Sequence, residues 1–214
     1  FLCAMDSYAN VPSYTAWLDA QDQTQVYQYL KRTLQFLQWQ QARRGIAPGR
    51  RWLLKSPQHL HTLELLFEVF PKAQVILTHR EPAKTIPSLA SFIHTLWLLY
   101  SDKVDAEAVG EQWNRRMARA LRHTMAVRER MPAGRFLDVH FEDTVAAPQA
   151  VVERIYQFAG LELTPQTRSA MAQWLQANGR EKRAVHHYSP GQFGLSEAIL
   201  QRDYAEYRAR HIQA

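Results

Sequence analysis

The chain has 214 residues, 46% of them apolar and 21% charged, with a formal net charge of +6. That suffices for one domain over residues 1–214 with a sizeable core, and it excludes a disordered or fibrous composition. No apolar run approaches the roughly 20 residues that a membrane-spanning helix needs. The longest, Phe92 to Tyr100, is about half that and contains His94. Cys3 is the single cysteine, so no intrachain disulfide forms, and a reducing cytoplasm is the default expectation. The aromatics do not interleave with the basic residues as a base-stacking platform requires. The positive charge therefore reads as a solvated basic surface or as attraction for an anionic ligand, not for nucleic acid. The opening Phe1-Leu2-Cys3-Ala4-Met5 reads as the continuation of a longer chain.

Pro12 to Arg44 reads as helix, with Ser13 or Asp22 as caps and Val26, Leu30, Leu34 and Leu37 three or four apart. Gly45 to Gly49 is a turn, and Arg51 to Lys55 reads as a short strand built on Trp52-Leu53-Leu54. Ser56-Pro57 has the chemistry of a cap and a first helical residue, and predicts a helix with Leu60, Leu63, Phe67 and Phe70 on one face. Gln74 to Thr78 reads as a second strand, and Glu81-Pro82 opens a helix kinked at Pro87. Asp105 to Arg130 is a long helix, with Val109, Trp113, Met117, Ala120, Thr124 and Val127 as its core stripe. Phe136 to Phe141 reads as a third strand. Helices follow from Pro148 to Ala159, from Pro165 to about Ala177 and from Ser196 to Arg210. A basic loop, Asn178 to Gly194, precedes the last of them. Strands separated by helices predict an α/β fold, a parallel sheet covered on both faces.

Two strand ends share a design. Lys55-Ser56-Pro57 and Arg80-Glu81-Pro82 each put a cation at a strand's carboxyl end, with a proline-started helix after it. Ligands of parallel sheets bind at such ends, and free N–H groups at helix starts favour anions. Ser88 lies eight residues beyond Arg80, about two helical turns, within reach of an anion that Arg80 forks. The competing reading pairs Arg80 with Glu81 or Glu142 and lets Ser88 pack. His59 and His61 are candidates for a general base, and roughly 200° separates them on an α-helix. Glu142 and Asp143 read as turn caps or orienters of Arg80. His186 and His187, with Arg180, Lys182, Arg183 and Tyr188, suit a lid better than a metal site, because no further His or Cys stands near them.

The block from Arg51 to Leu60 resembles the lysine-bearing strand end of bacterial sulfotransferases, and Phe70 to Pro82 resembles their next strand. Val11 to Leu18, His140 to Pro148 and His187 to Leu195 resemble further pieces of that family, in the same order. The resemblance implies a three-layer α/β fold of the P-loop NTPase-like kind and transfer of a sulfuryl group from 3'-phosphoadenosine-5'-phosphosulfate to a hydroxyl or amine. It implies that Arg80 and Ser88 bind the 3'-phosphate. It implies roles for Lys55 on the leaving phosphate, with Ser56 beside it, and for Phe141 near the adenine, where the family commonly has Tyr. His59 is the candidate base, and a glutamate upstream of this chain is an equal one. Arg183 and Tyr188 would contact the nucleotide from the lid, and no metal is needed. The family's 5'-phosphosulfate loop is not among these residues, so the chain reads as lacking an N-terminal segment. The acceptor stays open between small-molecule, lipid and carbohydrate classes, and a homodimer is left open. Trp97 to Tyr100 suits an apolar acceptor pocket or the core. Two alternatives remain: a P-loop phosphotransferase, and a non-catalytic relative that only binds.

Overall fold

The computed structural model describes residues 5–47, 51–132, 134–178 and 188–213. Its sheet has two parallel strands, β1 (Val75–His79) and β2 (Phe136–His140), in the register Val75↔Phe136 through His79↔His140. Both lie where the β-branched runs predict them, and both end in histidine. The expected strand over Arg51 to Lys55 is extended but pairs with nothing among the described residues. A strand is defined by its ladder, and here no neighbouring backbone supplies one. Leu53 is accordingly 88% exposed.

Helix α1 (Met5–Tyr8) and α2 (Pro12–Asp19) precede α3 (Thr24–Arg43). The single helix expected from Pro12 to Arg44 is therefore two. Asp22 draws the Thr24 N–H (2.9 Å) and hydroxyl (2.6 Å) onto its own carboxylate, so a new helix starts there. After the Arg51–Ser56 segment, Ser56 does cap, accepting the Gln58 N–H at 3.3 Å. What it caps is a 3-10 turn, Pro57–His61, and the α-helix α4 (Leu63–Val69) begins only beyond Thr62.

Between the strands run α5 (Pro82–Leu98) and α6 (Ala106–Glu129). Asp105 caps α6 with two N–H bonds, at 2.9 and 3.1 Å. Beyond β2 come α7 (Phe141–Ala146), α8 (Pro148–Ala159) and α9 (Pro165–Ala177). Phe141 thus opens a helix and does not close a strand. Gly160, at φ 60°, ends α8 in the left-handed conformation that glycine adopts without strain. The expected last helix is divided at Tyr204 into α10 (Glu197–Asp203) and α11 (Ala205–His211).

The main core is the seam of α5 and α6. Ile86, Ala90, Ile93 and Trp97 meet Val109, Trp113 and Ala118 there, closed by Phe193, Leu200 and Tyr204. Gly110 is required in that seam, because a Cβ at this position would sit 2.0 Å from the Phe193 carbonyl oxygen. Trp97, expected in a pocket or in the core, is core: it is 2% exposed and donates its indole N–H to the Asp6 carbonyl at 3.1 Å. A buried ionic cluster ties the N-terminal helices to α6. Arg116 pairs with Asp6 and, at 3.3 Å, with Asp19, which Arg119 also meets.

Candidate functional site

The site is the corner where β1 turns into α5. Arg80 stands at that corner, with its guanidinium carbon 4.1 Å from the centre of the Phe141 ring. Cation–π contact holds the side chain toward the start of α7. Its Nε is buried without a hydrogen-bond partner among the described residues, and no carboxylate there pairs with it. The alternative pairing with Glu81 fails, because Glu81 is held by Arg208 at 2.9 Å. Asp143 pairs with Arg154 at 3.0 Å and does not orient Arg80. The Nε atoms of Arg116 and Arg135 are likewise buried without a partner there, so what sets Arg80 apart is its place at the end of β1 with no carboxylate partner among the described residues.

The corner is fixed from beneath by residues that the sequence reading missed. Tyr207 of α11 bonds the Arg80 backbone N–H and, at 2.9 Å, the Nδ1 of His79. The other ring nitrogen of His79 lies 2.8 Å from Asp138 Oδ1. Arg128 then donates to both Asp138 oxygens, at 2.5 and 2.6 Å. The bonding order is self-consistent: the Arg80 N–H donates to the tyrosine oxygen, the tyrosine hydroxyl to Nδ1, and Nε2–H to the carboxylate. His211 stacks on His79 with centroids 4.7 Å apart and planes 9° from parallel. Together with the Arg208–Glu81 pair, these contacts clamp α11 onto His79, Arg80 and Glu81. A histidine at the end of both paired strands was the one sequence signal for this network.

Burial would raise the Asp138 carboxyl, but the Arg128 and His79 hydrogen bonds outweigh it and hold it at about 2. Burial pushes the Tyr207 hydroxyl up to about 12. It also holds both His79 and His211 below the ordinary value of 6.5, although Asp138 pulls His79 the other way. His79, Asp138 and His211 bring ligand-type atoms within 4.8 Å of one another. A cation there would have to displace Arg128 from Asp138 and break a hydrogen bond of His79, so the trio reads as scaffold. Both histidines are neutral when folded and take up protons more readily when unfolded. Stability is therefore full above about pH 6.5 and falls as the pH drops below it. Thermal melts of the full-length protein across that range should show Tm declining, and His211→Gln should flatten the decline. A pH-independent Tm would contradict the clamp.

Ser88 lies half-buried on α5, one turn beyond Lys84 and on the same face. Tyr188 reaches that face, its hydroxyl donating to the Lys84 carbonyl at 3.3 Å, and its ring packs on the main core. Arg80 and Phe141 thus meet at the strand end, while Ser88 and Tyr188 lie along the first two turns of α5. Arg183, with His186 and His187, lies outside the described residues. Lys55 and Ser56 are exposed on the segment before the 3-10 turn, and Lys55 forms no ion pair among the described residues. His59 is anchored: its Nδ1 lies 2.8 Å from the Tyr27 hydroxyl, which also meets Thr62 Oγ1 at 2.9 Å. Burial keeps its imidazole below the ordinary value, hence neutral at pH 7. His61 faces elsewhere, toward Asp19, Arg119 and His123. Leu98, Leu99 and Tyr100 are exposed, and the length of α5 puts them about 25 Å from Arg80. They line no pocket at the corner.

A parallel α/β sheet with an arginine at its strand end, left without a carboxylate partner among the described residues, has the layout of nucleotide- or phosphate-handling folds. Comparison with known proteins makes this specific. A family model described as "Sulfotransferase family" matches residues 4–165, and the chain belongs to that family. It is similar to the omega-hydroxy-beta-dihydromenaquinone-9 sulfotransferase Stf3 of Mycobacterium tuberculosis, at 28% identity over 158 residues, covering 70% of this chain and 38% of the relative. Among solved structures it resembles sulfotransferase STF9 from Mycobacterium avium, with a TM-score of 0.85 and 31% identity over 96% of this chain and 51% of that one. STF1 from Mycobacterium tuberculosis H37Rv follows, with a TM-score of 0.78 and 28% identity over 95% and 51%. The chain therefore spans about half the length of the solved relatives and less of the curated one. Among the described residues no helix is long and apolar enough to cross a membrane.

Proposed function

We propose that the protein to which this chain belongs transfers a sulfuryl group from 3'-phosphoadenosine-5'-phosphosulfate to a hydroxyl carried by an apolar, lipid-type acceptor. The observation that carries the donor is Arg80: its buried Nε is unpartnered and its guanidinium is steered by Phe141. That arrangement fits a phosphate bound at the strand end. The donor, when bound, supplies the activated sulfur. Arg80 and Ser88 hold its 3'-phosphate, Phe141 offers an aromatic surface to the adenine, and Tyr188 and Arg183 close over it. Lys55, with Ser56 beside it, stabilises charge that develops on the departing phosphate. His59 removes the acceptor's proton. For that task its Nδ1–H donates to Tyr27, whose hydroxyl donates to Thr62, leaving Nε2 free as the base.

The acceptor class rests on the relative whose name specifies a hydroxylated menaquinone. The family does not favour the phosphotransferase alternative. The test is a donor-consumption assay on the full-length protein with a hydroxylated prenylquinone. Release of 3',5'-adenosine bisphosphate, dependent on the quinone, is expected. Release that a water-soluble sugar or phenol supports equally would remove the lipid acceptor, and no release with any hydroxyl would remove the activity.

A further inference from the structure

The face of α3 turned away from the protein carries chemistry that the site does not use. One side of α3 packs through Tyr27, Leu30 and Leu34, all buried. Residues spaced three or four apart on the opposite side are Tyr29, Arg32, Phe36, Trp39 and Arg43. Tyr29, Phe36 and Trp39 are 63%, 53% and 56% exposed. Phe36 and Trp39 stack at 5.7 Å, and Arg43 sits 5.7 Å from the Trp39 ring centre. Ile46, just beyond the helix, is also exposed. Aromatics and cations alternate on this face in the order of the chain itself, so the expectation that they do not interleave fails here.

Along this stretch of chain the charge has one sign, although α4, which packs against α3, carries Glu64 and Glu68. From Gln23 to Leu63 the sequence has seven Lys and Arg and no Asp or Glu. Three large aromatic rings left in water on one helix face are a costly arrangement for a surface that stays in water. Tyr and Trp with arginines beside them suit the boundary between lipid headgroups and acyl chains, where rings bury and guanidinium groups stay with phosphates. An acid-free segment adds attraction to an anionic leaflet. Single-stranded nucleic acid is a poorer fit, because its bases need splayed rings in a groove. Here two of the rings stack on each other on a convex helix.

We propose that α3 docks the protein on an anionic lipid bilayer, with Phe36 and Trp39 entering the interface and Arg32 and Arg43 pairing with phosphates. The proposal needs no particular acceptor and no transferase activity. Binding of the full-length protein to vesicles is read by co-sedimentation, without donor or acceptor, using phosphatidylcholine with and without phosphatidylglycerol. Wild type should pellet with the anionic vesicles, less so at high salt, and little with neutral ones. Phe36→Ser with Trp39→Ser, and separately Arg32→Ala with Arg43→Ala, should each lower the partition about tenfold or more. Circular dichroism should show both variants folded. Absence of wild-type binding, or equal binding by folded variants, would overturn the proposal. So would oligonucleotide binding or self-association that these same variants abolish while vesicle binding persists.

Discussion

Lys55→Ala in the full-length protein should lower kcat roughly 10²–10³-fold and leave affinity for 3',5'-adenosine bisphosphate nearly unchanged. The residue is exposed, forms no ion pair among the described residues, and stands immediately before the Ser56 cap of the 3-10 turn. A lysine held in a structural ion pair would cost stability on removal. This one should cost little, since its ammonium is solvated. In the role proposed for it, Lys55 acts only where charge grows on the leaving oxygen, and interactions that strengthen in the transition state appear in kcat. Lys55→Arg should recover only part of the rate, because a planar fork replaces a compact charge. Steady-state kinetics with calorimetric binding separates the outcomes. A matching loss in kcat and in bisphosphate affinity would make Lys55 a binding residue. An unchanged kcat would remove it from the chemistry.

Much of the scaffold around Arg80 was legible because its signals are local. β1 and β2 are short β-branched or aromatic runs between breakers, and prolines sit at the first position of α5, α8 and α9. Asp105 announces α6, and Gly160 ends α8. Three failures have a common cause. Asp22, Thr62 and Tyr204 each interrupt an apolar periodicity that runs on past them, so a stripe three or four apart cannot reveal the break. The segment from Arg51 to Lys55 shows the converse: a strand-like composition does not make a strand without a paired neighbour.

The candidate site divides the same way. Arg80 was singled out from its place after a strand and before Glu81-Pro82, and the structure does put it at the end of β1; the strand expected before Lys55 did not form. The α11 clamp was not legible, because Tyr207 meets His79 across 128 residues. Periodicity carries no information about such a pairing. Its physical role is to fix the backbone at Arg80, the residue proposed to hold the phosphate. The α3 face was overlooked because Tyr29, Arg32, Phe36, Trp39 and Arg43 share one side only when the helical period is applied to them.

Arg80 carries the heaviest burden. Its guanidinium has a buried unpartnered Nε, lies over Phe141, and belongs to a residue whose N–H is held by Tyr207. Removing it deletes a charge-assisted contact of about 1.5–3 kcal/mol, roughly a 10- to 100-fold loss in affinity. No comparable loss of fold is expected, because the ionic network beneath it runs through His79, Asp138 and Arg128 and not through the Arg80 side chain. Lysine in its place should recover charge but not the fork over the ring.

The decisive measurement is calorimetric titration of the full-length protein with 3',5'-adenosine bisphosphate, wild type against Arg80→Ala, with thermal melts of both. A Kd raised at least tenfold at an unchanged Tm is the expected result. Equal affinity in the two proteins would contradict the assignment of this strand end as the phosphate site.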